Sequence, residues 1–291
     1  MLPHAGRSAR RCLDDLAAAE GRVGEAGRPM GHFPHCAPEE ERSANYERAR
    51  IWLIPLLSRL GLAGKRVLNV GCGVGTDVML LSESGWDAWG INPRDPARGT
   101  TFWEQFGAGK RRFVVALGEQ IPFRDDTFDA CLSFEVLEHV GKVPPAYWTP
   151  SHDCAAKRQA YADECVRVTK HGGTILLATP NKWFPLDAGH GFENRLGARL
   201  HSPFEDLLVS PREVRWLFRG HQVTHAPLSG YFRFERSRRI FWRRHLIGAL
   251  KMLLAFGDTR VGHGLRFLFP WVAVQIRVDK DHRRRRAGIA A

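Results

Sequence analysis

The stretch from Val67 to Thr76, VLNVGCGVGT, decides the fold of this chain. Its first four residues predict a short buried strand, and a helical pattern starts at its last residue. Between them glycine occupies every second position, at Gly71, Gly73 and Gly75. Such a turn lets a ligand approach the backbone, and the following helix directs its N–H groups toward that ligand. The GxGxG spacing differs from the GxGxxG of dinucleotide-binding proteins, which argues against a nicotinamide dehydrogenase.

Similar apolar runs recur along the chain and are separated by helical patterns. We interpret them as strands at residues 87–92, 113–117, 128–134, 173–179, 222–226 and 269–278. Buried strands that alternate with helices predict an α/β fold with a Rossmann-like, doubly wound, mostly parallel sheet, here of seven strands. In such a sheet a ligand binds beyond the carboxyl ends of the strands, where the strand order reverses. The glycine turn follows the first strand and is therefore the predicted ligand site.

The composition is that of a globular protein, with 44% hydrophobic and 25% charged residues among 291. No run of eighteen or more uncharged apolar residues occurs, so no membrane-spanning helix is expected. The six cysteines are scattered and no secretory signal pattern is visible, which favours a reduced, cytoplasmic protein. We predict a flexible leader at residues 1–42, a main domain at 43–278 and a basic disordered tail at 279–291. Within the main domain, residues 232–265 are predicted to form a basic amphipathic helical insertion.

The positive charge is concentrated at one end of the chain. From Tyr231 onward there are fifteen Lys and Arg against four Asp and Glu, while the preceding residues are close to neutral. Within this part, residues 236–256 combine arginines with Phe241, Trp242 and a leucine-rich run, which is typical of a helix at an anionic membrane interface, here the inner face. Two alternatives remain open: a lid helix packed on its own domain, and a segment that grips nucleic acid.

Four further motifs follow the glycine turn: Gly90–Pro93, Glu119–Asp129, Phe134–Val140 and Arg167–Gly173. Together they cover about residues 45 to 185, and in order and spacing the sequence resembles the class I methyltransferase superfamily. The resemblance implies S-adenosylmethionine as the cofactor. It also implies a last strand that runs antiparallel. The acceptor of the methyl group is not implied.

The resemblance further implies roles for individual residues. The three glycines of the turn would flank the methionine part of the cofactor. Leu117 and Gly118 would border the adenine, and Phe134 and Glu135 would close the pocket beneath the sulfonium.

Two positions depart from the family pattern, which usually has acidic residues where this chain has Asn69 and Asn92. Asn92 would face the ribose hydroxyls. An amide accepts hydrogen bonds only through its oxygen, so we predict that cofactor binding survives but is weaker by about 1–2 kcal/mol.

The run Glu135–His139, EVLEH, permits two interpretations. Some members of the superfamily use a Glu-x-x-Glu-His run to hold Mg²⁺, whereas in many more the same run begins a helix and binds no metal. We predict no metal site. His139 is a candidate general base, because an imidazole titrates near neutral pH, and a capping role is the alternative.

The segment after the fifth strand carries further candidates. A turn fixed by Pro180 would place Asn181, Trp183, Asp187 and His190 over the substrate mouth, where His190 is the second candidate general base. The alternative is a rigid loop with its aromatic side chains packed on the core.

These residues predict transfer of a methyl group to an oxygen, or less favourably a nitrogen, of a small-molecule or lipid-linked acceptor. The Asn/Asp-Pro-Pro-aromatic motif used to methylate exocyclic amines of nucleobases is absent, which disfavours base N-methylation. Two alternatives stay open. One is an RNA methyltransferase that holds its substrate with the basic C-terminal segment. The other is a non-catalytic relative that uses the fold to bind a membrane or a partner.

Overall fold

The computed structural model describes residues 45–94, 112–142, 149–187, 199–231 and 241–281, with the helical backbone alone for 241–247. The strands are β1 (Arg66–Val70), β2 (Asp87–Asn92), β3 (Phe113–Val115), β4 (Phe128–Phe134), β5 (Thr169–Pro180), β6 (Leu186–Asp187), β7 (Arg199–Leu200), β8 (Gln222–His225) and β9 (Trp271–Arg277). The helices are α1 (Ile54–Arg59), α2 (Thr76–Glu83), α3 (Cys154–Val168), α4 (Pro211–Leu217), α5 (Phe241–Gly257) and α6 (Arg260–Gly264). A π-helical turn, Ala49–Leu53, leads into α1.

Seven strands form one sheet in the order β3-β2-β1-β4-β5-β9-β8. β1 pairs in parallel with β2 and β4, so that Leu68 lies opposite both Trp89 and Cys131. β9 is antiparallel to both of its neighbours, β5 and β8. The strand order reverses between β1 and β4, and the glycine turn emerges at that point. The predicted doubly wound sheet with an antiparallel last strand is confirmed.

Helices cover both faces of the sheet, as the buried character of the strands requires. On one face, Trp52, Leu53, Leu81 and Leu254 join the π-helical turn, α2 and α5 to the core. On the other face, residues of α3 and α4, among them Tyr161, pack on the sheet. α4 begins with a capping box in which Ser210 Oγ accepts from the Glu213 backbone N–H and Glu213 bonds back to Ser210.

Some element bounds differ from the sequence prediction. β3 ends at Val115, two residues earlier than predicted, so Leu117 and Gly118 follow the strand and do not end it. β5 begins at Thr169, because an irregularity in the β4–β5 register lets residues before the predicted start pair with Phe128. The predicted helical insertion before the last strand is present as α5 and α6. The predicted leader at 1–42 and most of the tail at 279–291 lie outside the described residues.

Two further predictions concern the cysteines and the membrane. Cys72, beside β1, and Cys131, within β4, are buried free thiols, and the prediction of scattered, unpaired cysteines concerns these two among others. Within the described ranges, none of the helices combines the length and the apolar character that crossing a bilayer requires.

Candidate functional site

The glycine turn connects β1 to α2 through backbone conformations that favour glycine. Gly71, Gly73 and Gly75 have φ angles of 73°, 50° and 79°. The Gly71 and Cys72 N–H groups both donate to the Ile91 carbonyl, at 2.8 and 3.0 Å, and tie the turn to β2. A Cβ on Gly71 would lie 2.4 Å from Val136 Cγ2, so this backbone passes very close to the segment after β4. The turn is thus fixed on two sides at the carboxyl edge of the sheet.

A buried ion pair lies beside this turn. Arg48 Nη2 donates to Asp77 Oδ2 at 2.7 Å, and the two side chains are 13% and 4% exposed. Asp77 stands in the first turn of α2, directly behind the glycines, while Arg48 precedes the π-helical turn. The Arg48 guanidinium also lies over the rings of Phe134 and Tyr231, at 5.2 and 5.5 Å from their centres. The pair therefore joins the start of the π-helical turn, α2 and the end of β4.

Aromatic rings form the wall around this cation. Trp52, Phe134 and Tyr231 make three edge-to-face contacts with centre separations of 5.0 to 6.0 Å. Trp52 Nε1 donates to the Pro227 carbonyl at 3.0 Å, which holds the loop that leads to Tyr231. The structure thus buries Phe134, the residue predicted to lie beneath the sulfonium, within an aromatic cluster at the end of β4.

Glu135 follows β4 in a left-handed conformation, with φ 57°. This conformation is uncommon for a residue with a side chain and is found preferentially at functional sites. Its N–H donates to the Ala178 carbonyl at 2.8 Å, and its exposed carboxylate accepts from Tyr231 Oη at 3.3 Å. The turn thus exposes a carboxylate beside the glycine turn and the aromatic cluster.

The charges of this cluster depend on one another. Burial lowers the pKa of Arg48, but the charges of Asp77, Tyr231 and Glu135 together raise it by more, so that the net pKa lies above the ordinary value. Burial and the negative charge of Glu135 raise the pKa of Tyr231 well above its ordinary value. At neutral pH Arg48 is therefore cationic and Tyr231 is a protonated hydrogen-bond donor.

The other residues predicted to bind the cofactor lie within or shortly after β1, β2 and β3. Asn69 is buried within β1, and Asn92 ends β2, where its Nδ2 donates to the Pro93 carbonyl at 3.2 Å. Leu117 and Gly118 are partly exposed. A Cβ on Gly118 would lie 2.3 Å from the Tyr161 ring, so the segment after β3 presses directly on α3. The topology brings these predicted residues to one edge of the sheet.

The structure separates the acidic residues of the Glu135–His139 run. Glu138 is 1% exposed and accepts from Thr179 Oγ1 at 2.9 Å, whereas Glu135 is exposed. His139 ends a 3-10 turn, is half-buried, and has a buried Nδ1. Among the described residues, the three potential ligands whose atoms lie within 4.8 Å of one another are His171, Asp279 and Asp281 instead. The run is thus arranged as a helical turn over the core.

The loop after β5 is mainly structural. Asn181 is 1% exposed, and its Nδ2 donates to the carbonyls of Phe267 and Phe269 at 2.8 and 2.7 Å. Asp187 is 2% exposed and pairs with Arg199 at 3.1 Å. The prediction that these two face the substrate mouth is wrong, because both side chains are buried and bonded to other segments of the protein. Trp183 is exposed, and His190 lies outside the described residues.

The sequence interpretation missed Arg48, Asp77 and Tyr231. Arg48 stands four residues before the buried Trp52, so it continues the buried side of the first helical segment. A charged residue at such a position needs a partner. That signal was available in the sequence. Tyr231 carries no comparable signal, because its partner Glu135 is 96 residues away.

Comparison with known proteins is consistent with this geometry. Residues 68–177 match a family described as a methyltransferase domain. An uncharacterised methyltransferase of Mycobacterium tuberculosis is 33% identical over 136 residues, which are 46% of this chain and 47% of that protein. One from Mycolicibacterium vanbaalenii is 33% identical over 143 residues, with 47% and 48% covered. The matched region thus spans about half the length of these curated relatives.

Solved structures resemble the fold more distantly. A SAM-dependent methyltransferase from Archaeoglobus fulgidus is 17% identical with a TM-score of 0.45, covering 83% of this chain and 94% of that one. The 1,6-didemethyltoxoflavin-N1-methyltransferase of Burkholderia thailandensis is 15% identical with a TM-score of 0.43, covering 96% and 92%.

The sheet order, the glycine turn at its switch point and the matched family define the class. Residues 68–177 carry the sequence of a methyltransferase domain on a class I type of sheet, and the cofactor of this class is S-adenosylmethionine. Over this part, the chain is similar to the mycobacterial methyltransferases named above.

The residues beside the glycine turn fit this cofactor. Arg48 Nε, Thr76 Oγ1 and Asp77 Oδ1 are buried and have no hydrogen-bond partner among the described residues. Buried polar atoms are normally satisfied, so atoms of this kind indicate a ligand that bonds to them. S-adenosylmethionine has an amino-acid end with an ammonium and a carboxylate. One acceptor and two donors match these two groups in chemistry.

Proposed function

We propose that this chain transfers a methyl group from S-adenosylmethionine to an oxygen, or less favourably a nitrogen, of a small-molecule or lipid-linked acceptor. The observation that carries the proposal is the set of three unbonded, buried polar atoms beside the glycine turn. Asp77 would accept from the ammonium of the cofactor, while Arg48 and Thr76 would donate to its carboxylate. The glycine turn alone already matches the class pattern, and these three residues are additional evidence for binding of the cofactor.

The remaining cofactor contacts follow from the predicted residues. Asn92 uses its nitrogen to bond the Pro93 carbonyl, which leaves Oδ1 as the acceptor for a ribose hydroxyl. Leu117 and Gly118 would border the adenine. Phe134, which ends β4, and Glu135, which follows it, would lie under the sulfonium.

When bound, S-adenosylmethionine supplies an electrophilic methyl group on a sulfur that is already a good leaving group. The contribution of the chain is therefore mainly to align the acceptor and to accept its proton. His139 is the proposed proton acceptor, and it would take the proton on Nε2, because Nδ1 is buried. His190 is the alternative base and is tested in the same way.

Cofactor binding is tested by titration calorimetry of the full chain with S-adenosylmethionine. We expect binding in the micromolar range, weakened strongly in Asp77→Asn. Absence of heat at millimolar cofactor would leave the non-catalytic relative as the correct interpretation. Incubation with methyl-labelled cofactor and separate lipid, RNA and small-molecule extracts then identifies the acceptor class. Label in RNA alone would contradict the proposed acceptor and favour the RNA methyltransferase.

The base is tested once an acceptor fraction is known. His139→Gln should lower the turnover number by about 10²–10⁴-fold without changing the cofactor dissociation constant. His190→Gln is measured beside it, and His152→Gln serves as the matched control because His152 is an exposed histidine outside the site. Full turnover in His139→Gln would remove this residue from the mechanism.

A further inference from the structure

The segment between β8 and β9 exposes an unusual amount of apolar surface. Six large apolar side chains within seventeen residues are 41% to 75% exposed, and we call them the apolar ridge: Met252, Phe256, Val261, Leu265, Phe267 and Leu268. Single exposed apolar residues are common, but a group of this size marks an interaction surface.

The ridge belongs to a well-anchored element. Among residues 248–257, the part of α5 whose side chains are described, those that are buried or half-buried form the narrow stripe of Leu250, Leu254 and Gly257. A Cβ on Gly257 would lie 2.4 Å from the Phe269 ring, and one on Gly262 would lie 2.0 Å from the Phe256 carbonyl oxygen. These close approaches seat the end of α5 on the core and α6 on α5. The apolar ridge is therefore exposed by a fixed backbone and not by a loose end.

The same element is bonded to the wall of the candidate site. Arg266 Nη2 donates to Asp258 Oδ1 at 2.7 Å and to the Ala226 carbonyl at 2.6 Å. Asp258 in turn accepts from the Leu228 and Ser229 N–H groups, both at 2.9 Å. This loop ends at Tyr231, which contacts Glu135 in the site.

A second connection runs through the loop after β5. The Phe267 carbonyl accepts from Asn181, and the Trp183 ring meets the Phe267 ring edge-to-face at 6.3 Å. Trp183 is itself 40% exposed. The apolar ridge and the candidate site thus share the carboxyl edge of the sheet.

Charge indicates what covers the ridge. Lys251 and Arg260 are exposed beside it, and Asp258, the one acidic residue of α5, α6 and the turn between them, is already paired with Arg266. In the sequence, the part from Tyr231 onward has fifteen basic and four acidic residues. We propose that the apolar ridge docks on an anionic lipid bilayer, with its apolar side chains at the acyl boundary and the two cations at the headgroups. This inference goes beyond the proposed function, since docking does not require methyl transfer.

Vesicle flotation of the full chain tests the proposal. We expect binding to vesicles in which about a third of the lipid is phosphatidylglycerol, and little binding to pure phosphatidylcholine. Each Lys or Arg near such a surface contributes about 1 kcal/mol, so Lys251→Gln with Arg260→Gln should lower the partition coefficient about thirtyfold. The control, Lys65→Gln with Arg124→Gln, removes the same charge from exposed positions at the opposite edge of the sheet and should bind normally.

The apolar part of the surface is tested separately. Met252→Ser with Val261→Ser should also reduce flotation, since these side chains are 75% and 72% exposed and their loss leaves the core intact. Trp216→Ser, which is 56% exposed on α4, is the apolar control. Thermal melting and cofactor calorimetry are expected to be unchanged in all four variants. If the wild-type chain binds the cofactor but does not float with the anionic vesicles, the docking surface is overturned and the proposed function still stands.

Other occupants give different results. A dimer in sedimentation that dissociates in Met252→Ser with Val261→Ser would show a second copy on the ridge and overturn the proposal. The proposal would also be overturned if the wild-type chain bound RNA in a salt-sensitive way but did not bind vesicles, and if Lys251→Gln with Arg260→Gln lost that RNA binding.

Discussion

Asp77→Asn is the perturbation that the site geometry predicts most sharply. It keeps the size of the side chain but removes the charge that faces Arg48 Nη2 at 2.7 Å. The two side chains are 13% and 4% exposed, so solvent cannot replace the lost partner. Arg48 stays charged, because a guanidinium is not deprotonated in proteins near neutral pH. Leaving one charge of a buried pair without its partner costs about 3–5 kcal/mol.

The loss should fall near the lower end of that range. Arg48 keeps its contacts with the Phe134 and Tyr231 rings, and a cation over a ring is stabilised by about 0.5–2 kcal/mol. We therefore expect about 3 kcal/mol less free energy of unfolding. For a domain of this size, that corresponds to a melting temperature roughly 6–10 °C lower.

A double-mutant cycle separates the ion pair from the rest of the fold. Urea unfolding is measured for the wild type, Asp77→Asn, Arg48→Met and the double variant. Because the uncharged Asn–Met pair no longer buries an unpartnered charge, the double variant should recover at least half of the lost stability. It should nevertheless bind S-adenosylmethionine poorly, since the groups proposed to hold its amino-acid end are gone. Additive effects of the two single changes, or a loss below about 1 kcal/mol in Asp77→Asn, would refute the reasoning.

Three further outcomes are expected. Gly118→Ala should lower the free energy of unfolding in urea by about 1–3 kcal/mol, because its Cβ would lie 2.3 Å from the Tyr161 ring. A second change, Tyr161→Leu, should recover part of this loss. If it recovers none, the contact between the two residues is contradicted. Glu135→Asn should unfold like the wild type while Glu135→Val loses about 1–2 kcal/mol, because asparagine tolerates the left-handed backbone; equal stability of both would argue against that conformation. Burial, and then the Arg266 cation, lower the pKa of His225 from 6.5 to about 4, so the unfolded chain takes up this proton first as the pH falls. Stability is therefore lost between pH 6.5 and 4, by about 2 kcal/mol after allowance for partial exposure, and His225→Gln should flatten the profile; parallel wild-type and variant profiles would disprove it.

The sequence predicted correctly those elements whose bounds depend on neighbouring residues. β4 was predicted at its observed bounds, Phe128–Phe134, because a short apolar run between polar residues can bury both faces. α2 starts at Thr76 as predicted, since the glycine turn fixes its beginning. What failed was contact between distant segments. Asn181 has the side chain of a site residue, but it bonds carbonyls 86 and 88 residues away, and no local pattern reports those partners.

The electrostatics of the site bear on the two asparagines at positions where the family usually has acids. Asn69 and Asn92 remove two carboxylates that would attract a cationic cofactor. The structure groups other carboxylates nearby: the charges of Glu135, Glu138 and Asp77 all raise the pKa of Tyr231, while the cation Arg48 lowers it. An additional charge at the buried Asn69 would add repulsion and a desolvation cost to this group. Because Asp77 is paired with Arg48, the carboxylates of Glu135 and Glu138 are the negative charges that this group adds at the end of β4, and we expect them to offset part of the attraction that Asn69 and Asn92 remove.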